Sequence, residues 1–147
     1  MDKYAEANVV LSKFCKGYME LKKDLPIRPS EMAVLNIIVQ RSGRFTPLTI
    51  AELLDVSKSM ITAHISVLER KGYITKEQSK EDRRSFYVVP TEKAVDLVAT
   101  AGAATRKQLE YMKNELGTDN YERLLGILSE ANKILTNKRE MSKNGLE

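Results

Sequence analysis

Two clusters of residues have the types and spacing to do chemistry. The first is Ser57-Lys58-Ser59, with Thr62 one helical turn further on. At the start of a helix these short hydroxyls and one ammonium group sit at the positive end of the helix dipole, beside free backbone N–H groups that already favour anions. The second is Lys80, Asp82, Arg83 and Arg84, within the polar run EQSKEDRR from Glu77 to Arg84. Cations on such a loop can follow a phosphate backbone, and arginine is favoured in a narrow, electronegative groove. Both are binding chemistries. Catalysis by general acid and base needs a positioned histidine or paired carboxylates in a pocket. Here the acidic residues fall mostly on helix surfaces, there is no glycine-rich phosphate loop, and metal-ligand spacing is absent. The reading is therefore not an enzyme, with no catalytic residues, no cofactor and no metal site.

Cys15 and His64 are the single residues of their kinds. Cys15 cannot close an internal disulfide, which fits a reducing compartment. A redox-sensing role would need a group that activates the thiolate, and the plainer reading is a small, half-buried helix residue. His64 lies near the inward edge of its helix, beside Ile61 and Ile65, and reads as a packed or ligand-adjacent neutral imidazole. Tyr4, Phe14 and Tyr18 could border a small-molecule pocket, but at heptad spacing they read first as interface core.

The elements that must position the two clusters are legible from periodicity. Tyr4, Ala7, Leu11, Phe14, Tyr18, Leu21 and Leu25 recur at spacings of three and four, a continuous apolar stripe on one long helix ended by Pro26 and Pro29. A second helix runs from Ser30 to about Arg41, with Met32, Leu35, Ile38 and Val39 inward. Thr49-x-x-Glu52 has the form of a capping box opening a short helix. Asp55-Val56-Ser57 makes a turn, and Ser57 caps a helix reaching Lys71 with Ile61, Ile65 and Leu68 inward. Gly72 ends it. Strands are predicted at Tyr73–Lys76 and Ser85–Val89, so the basic loop becomes a hairpin tip. After Pro90-Thr91 come a long helix with Ala94, Leu97, Val98, Ala101, Leu109, Met112 and Leu116 on its apolar side, a break at Gly117-Thr118, and a last helix carrying Tyr121, Leu124, Leu125, Leu128, Ala131 and Leu135.

The fold class is thus mainly α with a small β-hairpin wing. The expected organisation is an N-terminal helix (1–27), a winged helix-turn-helix domain (28–91), C-terminal helices (92–140) and a disordered tail (141–147); that the helices at both ends are dimerisation helices is what the family resemblance described below implies. At 147 residues, 42% hydrophobic and 30% charged, the composition is that of an ordinary globular chain. No apolar run approaches the ~20 residues of a membrane span, and MDKYAEANVV lacks a secretory layout. A cytoplasmic protein is expected. The net charge of +4 is carried unevenly: Lys and Arg outnumber Asp and Glu by 11 to 8 over residues 28–94, against 8 to 8 over 95–147.

Three stretches, PSEMAVLNII, LTIAELLDVSKSMITAHISVLERKGYI and SKEDRRSFYVVPTEKA, resemble the MarR family of bacterial regulators, closely from about Arg28 to Val98 and loosely over the whole helical layout. The pattern Asp82-x-Arg84, followed by Pro90-Thr91 where the family has Leu-Thr, is the most specific part. The resemblance implies a homodimer, interlocked through the helices at both chain ends, that binds palindromic operator DNA and represses transcription until a small-molecule effector releases it. It also implies that Arg84 enters a minor groove, held by Asp82, and that Ser57, Ser59 and Thr62 touch DNA. There are departures. Ala63 stands where the family often carries a DNA-contacting arginine, so base readout is reduced or moved. Arg28-Pro29 replaces Thr-Pro and lacks a capping hydroxyl, and Ala94 replaces a glycine. The alternative reading is a winged-helix protein-interaction module without specific DNA binding. No ligand-binding residue, operator sequence or effector is legible, nor is the sign of regulation.

Overall fold

The computed structural model describes residues 2–20 and 24–145. Leu21 of the first apolar stripe and Leu146 and Glu147 of the expected tail lie outside them. The chain forms two compact units, residues 1–104 and 105–147.

The first unit contains α1 (Lys3–Glu20), α2 (Pro29–Gln40), α3 (Pro47–Leu54), α4 (Lys58–Arg70), β1 (Ile74–Gln78), β2 (Phe86–Pro90) and the first half of α5 (Glu92–Leu116). Its core is built around α2. Val34 and Leu35 are fully buried, and Met32, Ile37 and Ile38 nearly so, whereas Val39 is only half-buried. Around α2 pack Ile50 of α3, Ile61, Ile65 and Leu68 of α4, Ile74 of β1, Val88 of β2, and Ala94 and Val98 of α5. Each fully buried branched side chain contributes roughly 1.5–3 kcal/mol relative to exposure. Ile27 and Phe45, outside the expected helices, complete this core.

The turn chemistry explains how α3 and α4 are set. The capping box expected at Thr49 is not used. Thr46 is the N-cap, its Oγ1 accepting the Thr49 N–H at 3.2 Å, and α3 starts one turn earlier than Thr49. Pro47 is the reason: its fixed φ and missing donor suit the first helical position. Asp55, at φ 53°, turns the chain in the left-handed region between α3 and α4. Ser57 caps α4, its Oγ accepting the Met60 N–H at 3.2 Å. Gly72, at φ +82°, lets the chain leave α4 for β1.

The hairpin pairs Ile74 with Pro90 through Gln78 with Phe86, antiparallel. The strands are therefore shifted from the expectation, and Glu77 and Gln78 belong to β1 rather than to the loop. Phe45 adds a one-residue bridge to the other edge of β2, its carbonyl accepting the Val88 N–H at 2.8 Å. At the start of α2 the missing hydroxyl is compensated: the Glu31 carboxylate, itself buried, accepts the Arg28 N–H at 3.0 Å.

In the second unit α6 (Thr118–Lys143) follows Gly117. It runs past 141, into the tail that was expected to be disordered, and the Asn144 N–H caps it on the Glu140 carbonyl at 3.1 Å, just ahead of Gly145. Tyr121 is buried there, with the Lys113 ammonium 5.7 Å from its ring centroid.

Candidate nucleic-acid interface

The N-terminus of α4 gathers the first cluster. Ser57, Lys58, Ser59 and Thr62 are all exposed, while Ile61, Ile65 and Leu68 are buried on the opposite side of the same helix. One face packs and the other is free. Ser57 Oγ stands 3.1 Å from Ser59 Oγ, and Thr62 Oγ1 donates to the Lys58 carbonyl at 2.9 Å. No acidic residue occupies the first turn of α4, so the helix dipole and the Lys58 ammonium act together there.

The second cluster stands on the hairpin. Lys80, Asp82, Arg83 and Arg84 are all exposed at its tip. Asp82 Oδ1 accepts the Arg84 backbone N–H at 2.9 Å, and the Arg84 Nε lies 3.6 Å from the same oxygen. The Arg83 carbonyl accepts from Gln78 Nε2 at 3.2 Å. The tip thus has a defined shape while its guanidinium groups stay in solvent.

Four residues that frame this tip were missed from the sequence. Ser79 is buried, and its Oγ accepts the N–H groups of Glu81 and Asp82 at 3.3 and 3.2 Å, which folds the start of the loop. Arg44 ties the turn before α3 to both strands: Nη1 donates to Glu77 Oε1 at 3.1 Å and the guanidinium lies 5.2 Å from the Tyr87 ring centroid. Glu77 and Tyr87 are directly paired across the hairpin. The side-chain-to-backbone turn at Ser79 had a signal in its serine-x-x-aspartate spacing. The Arg44–Glu77 pair, 33 residues apart, had none. Lys76 of β1 meets Glu69 of α4 at 3.5 Å, so the hairpin and α4 are joined directly.

The remaining candidates fall elsewhere. His64 is half-buried, with its Nε2 buried and lacking a hydrogen-bond partner, and no group of three potential metal ligands occurs among the described residues. Cys15 is exposed on α1, not half-buried as expected. Phe14 and Tyr18 stack with centroids 6.3 Å apart. An open cleft of about 520 Å³ lies by the α1–α2 connection, between Met19, Leu25, Ile27, Arg28 and Lys71, and none of the three aromatic residues lines it.

A capped helix behind a tight turn, followed by an antiparallel hairpin with a basic tip, defines a winged helix-turn-helix protein. Residues 27–86 match the MarR family. Over 109 residues the chain is 28% identical to an uncharacterised HTH-type transcriptional regulator of Bacillus subtilis, YkoM, covering 74% of this chain and 70% of that protein. In fold it is similar to Streptococcus pneumoniae FabT, solved in complex with DNA, with a TM-score of 0.79 at 20% identity over 92% of this chain and 99% of that one. It is also similar to the PcaV transcriptional regulator of Streptomyces coelicolor, solved with its natural ligand, with a TM-score of 0.74 at 17% identity over 90% and 96% of the two chains. The family match covers the winged helix-turn-helix part of the chain. The chain's fold is that of the MarR-family transcriptional regulators.

Proposed function

We propose that the chain acts as a homodimer that binds pseudo-palindromic operator DNA sequence-specifically, placing α4 in the major groove and the hairpin tip along the backbone and into the minor groove. The observation that carries this reading is the exposed, dipole-assisted cluster Ser57, Lys58, Ser59 and Thr62 joined through Lys76–Glu69 to a wing bearing Lys80, Arg83 and Arg84. A helix fits the major groove, and its N-terminal residues reach base edges and phosphates.

Dimerisation accounts for apolar surface that the chain alone leaves open. Nothing on α1 is buried, and Tyr4, Val10 and Leu11 are more than half exposed. On α6, Ile127, Ile134 and Leu135 are exposed to a similar degree. Contiguous apolar surface of this kind marks interaction sites. Two winged domains would then meet half-sites about 34–36 Å apart. Repression relieved by an effector is the regulatory form most in keeping with the family, and a cytoplasmic location agrees with the absence, among the described residues, of a helix long and apolar enough to cross a membrane.

Fluorescence anisotropy of the full chain on its own upstream intergenic DNA, with scrambled DNA alongside and across a salt series, tests the reading. Preference of at least roughly a thousandfold with a steep salt slope is expected. Weak binding equal on both DNAs would favour a winged-helix interaction module instead.

A further inference from the structure

The outward face of α4 carries a specific and restricted chemistry. Ser59, Ala63 and Ser66 fall on one line of the helix, with Thr62 beside it, and all four are exposed. From Lys58 to Ser66 the sequence is KSMITAHIS, which contains no arginine, asparagine or glutamine. Those side chains read guanine or adenine through two hydrogen bonds at once, as a lysine can read guanine, and the one lysine of this stretch, Lys58, stands at its very start, before the Thr62–Ala63 positions.

The hydroxyl protons on this face are already committed. Thr62 Oγ1 donates to the Lys58 carbonyl at 2.9 Å, and Ser66 Oγ donates to the Thr62 carbonyl at 3.1 Å. Each hydroxyl then has only lone pairs to offer a base. Ser57 and Ser59 share one hydrogen bond between their oxygens, so that pair keeps a single free proton. What remains along the middle of the face is the Ala63 methyl, the Thr62 methyl and acceptor oxygens. Guanine presents two acceptors in the major groove and finds no donor opposite it at Thr62, Ala63 and Ser66. A thymine·adenine pair presents a C5-methyl group and an amino donor, which are the complements of a methyl and a lone pair. Cytosine offers the amino group without the methyl.

We infer that Ala63 and Thr62 are specificity-determining residues that read thymine C5-methyl groups, so the half-site facing α4 is rich in thymine·adenine pairs. This rests on the proposed DNA-binding function and names the sequence class it selects. Lys58, at the helix start, supplies affinity through phosphate rather than sequence.

The test is selection of duplexes from a random-core library by the full chain, then anisotropy on the selected duplex with thymines replaced one at a time by deoxyuridine, which removes only the C5-methyl group. Thymine at the steps protected by α4 is expected, with about a fourfold affinity loss at the critical replacements, the factor for one buried methyl group. Thr62→Ser keeps the hydroxyl and removes the methyl, and should erase the penalty at one step. Ala63→Gly should erase it at the neighbouring step. Lys58→Ala should lower affinity and leave the penalty in place. Guanine at those steps, or affinity indifferent to deoxyuridine, overturns the inference while leaving specific binding intact. Absence of any enriched sequence overturns the DNA-binding reading itself, and this inference with it.

Discussion

The Asp82 carboxylate engages Arg84 twice through one oxygen, accepting its backbone N–H at 2.9 Å and standing 3.6 Å from its Nε. The first contact fixes the loop and the second restrains the first part of the side chain, yet 94% of the Arg84 side chain stays exposed. An arginine so placed keeps its hydrogen-bonding fork free for a ligand.

Arg84→Ala should weaken DNA binding by about 1–3 kcal/mol, the range for a lost arginine contact to a base. Asp82→Asn, which keeps an oxygen for the backbone N–H but removes the charge, should cost less, because an exposed ion pair contributes at most about 1 kcal/mol. Anisotropy titrations of both variants and of the double variant check this. If Asp82 acts through Arg84, the double variant resembles Arg84→Ala alone.

Lys58→Ala removes a cation from the positive end of α4. Affinity should fall on every duplex alike, and the slope of log affinity against log salt should become shallower by about 0.9, one phosphate contact. An unchanged slope would place Lys58 away from the backbone.

Much of this was legible in the sequence because it depends on local rules. The Ile61, Ile65 and Leu68 face follows from helical spacing, and the Ser57 cap from its hydroxyl before an apolar run. Gly72 marked the end of α4 because a positive φ is costly for other residues. What was missed came from competition or from distance. Thr49 looks like a cap with Glu52 three residues on, but Thr46 wins because it precedes Pro47. Phe45 and Arg44 join the hairpin through contacts across more than 30 residues, which no local pattern encodes. Ala63 was legible as a departure, but the direction of the hydroxyl bonds beside it required coordinates.

Arg44 braces the wing through Glu77 and Tyr87, yet its side chain and that of Glu77 are 60% and 48% exposed. Arg44→Ala should therefore cost under about 1 kcal/mol in folding stability, the range of an exposed pair with one weak ring contact. Its larger effect should be on DNA affinity, lowered severalfold because wing placement is loosened. Urea denaturation and anisotropy on the same preparation separate the two. A stability loss with unchanged affinity would make Arg44 merely structural.

Leu35 is fully buried on α2 at the centre of the first unit's core. Leu35→Ala should destabilise the fold by about 2–5 kcal/mol, the sum of lost transfer energy and the cavity left behind. The urea midpoint should drop with the slope unchanged. A smaller loss would mean that neighbouring residues of α3 and α4 collapse into the space.

Leu11 on α1 and Leu125 on α6 are 57% and 41% exposed, so neither substitution to aspartate disturbs a buried site within the chain. In a homodimer that covers these helices the same changes bury an unpaired carboxylate, which costs several kcal/mol per group. Leu11→Asp and Leu125→Asp should each shift the protein toward monomer by light scattering while leaving the far-ultraviolet circular dichroism of α2 to α4 in place. DNA affinity should fall as well, since two half-sites can no longer be engaged together. If both variants remain dimeric at micromolar concentration, the dimer forms through a different surface. If they become monomeric and still bind the operator undiminished, one winged domain suffices and the two-half-site geometry is wrong.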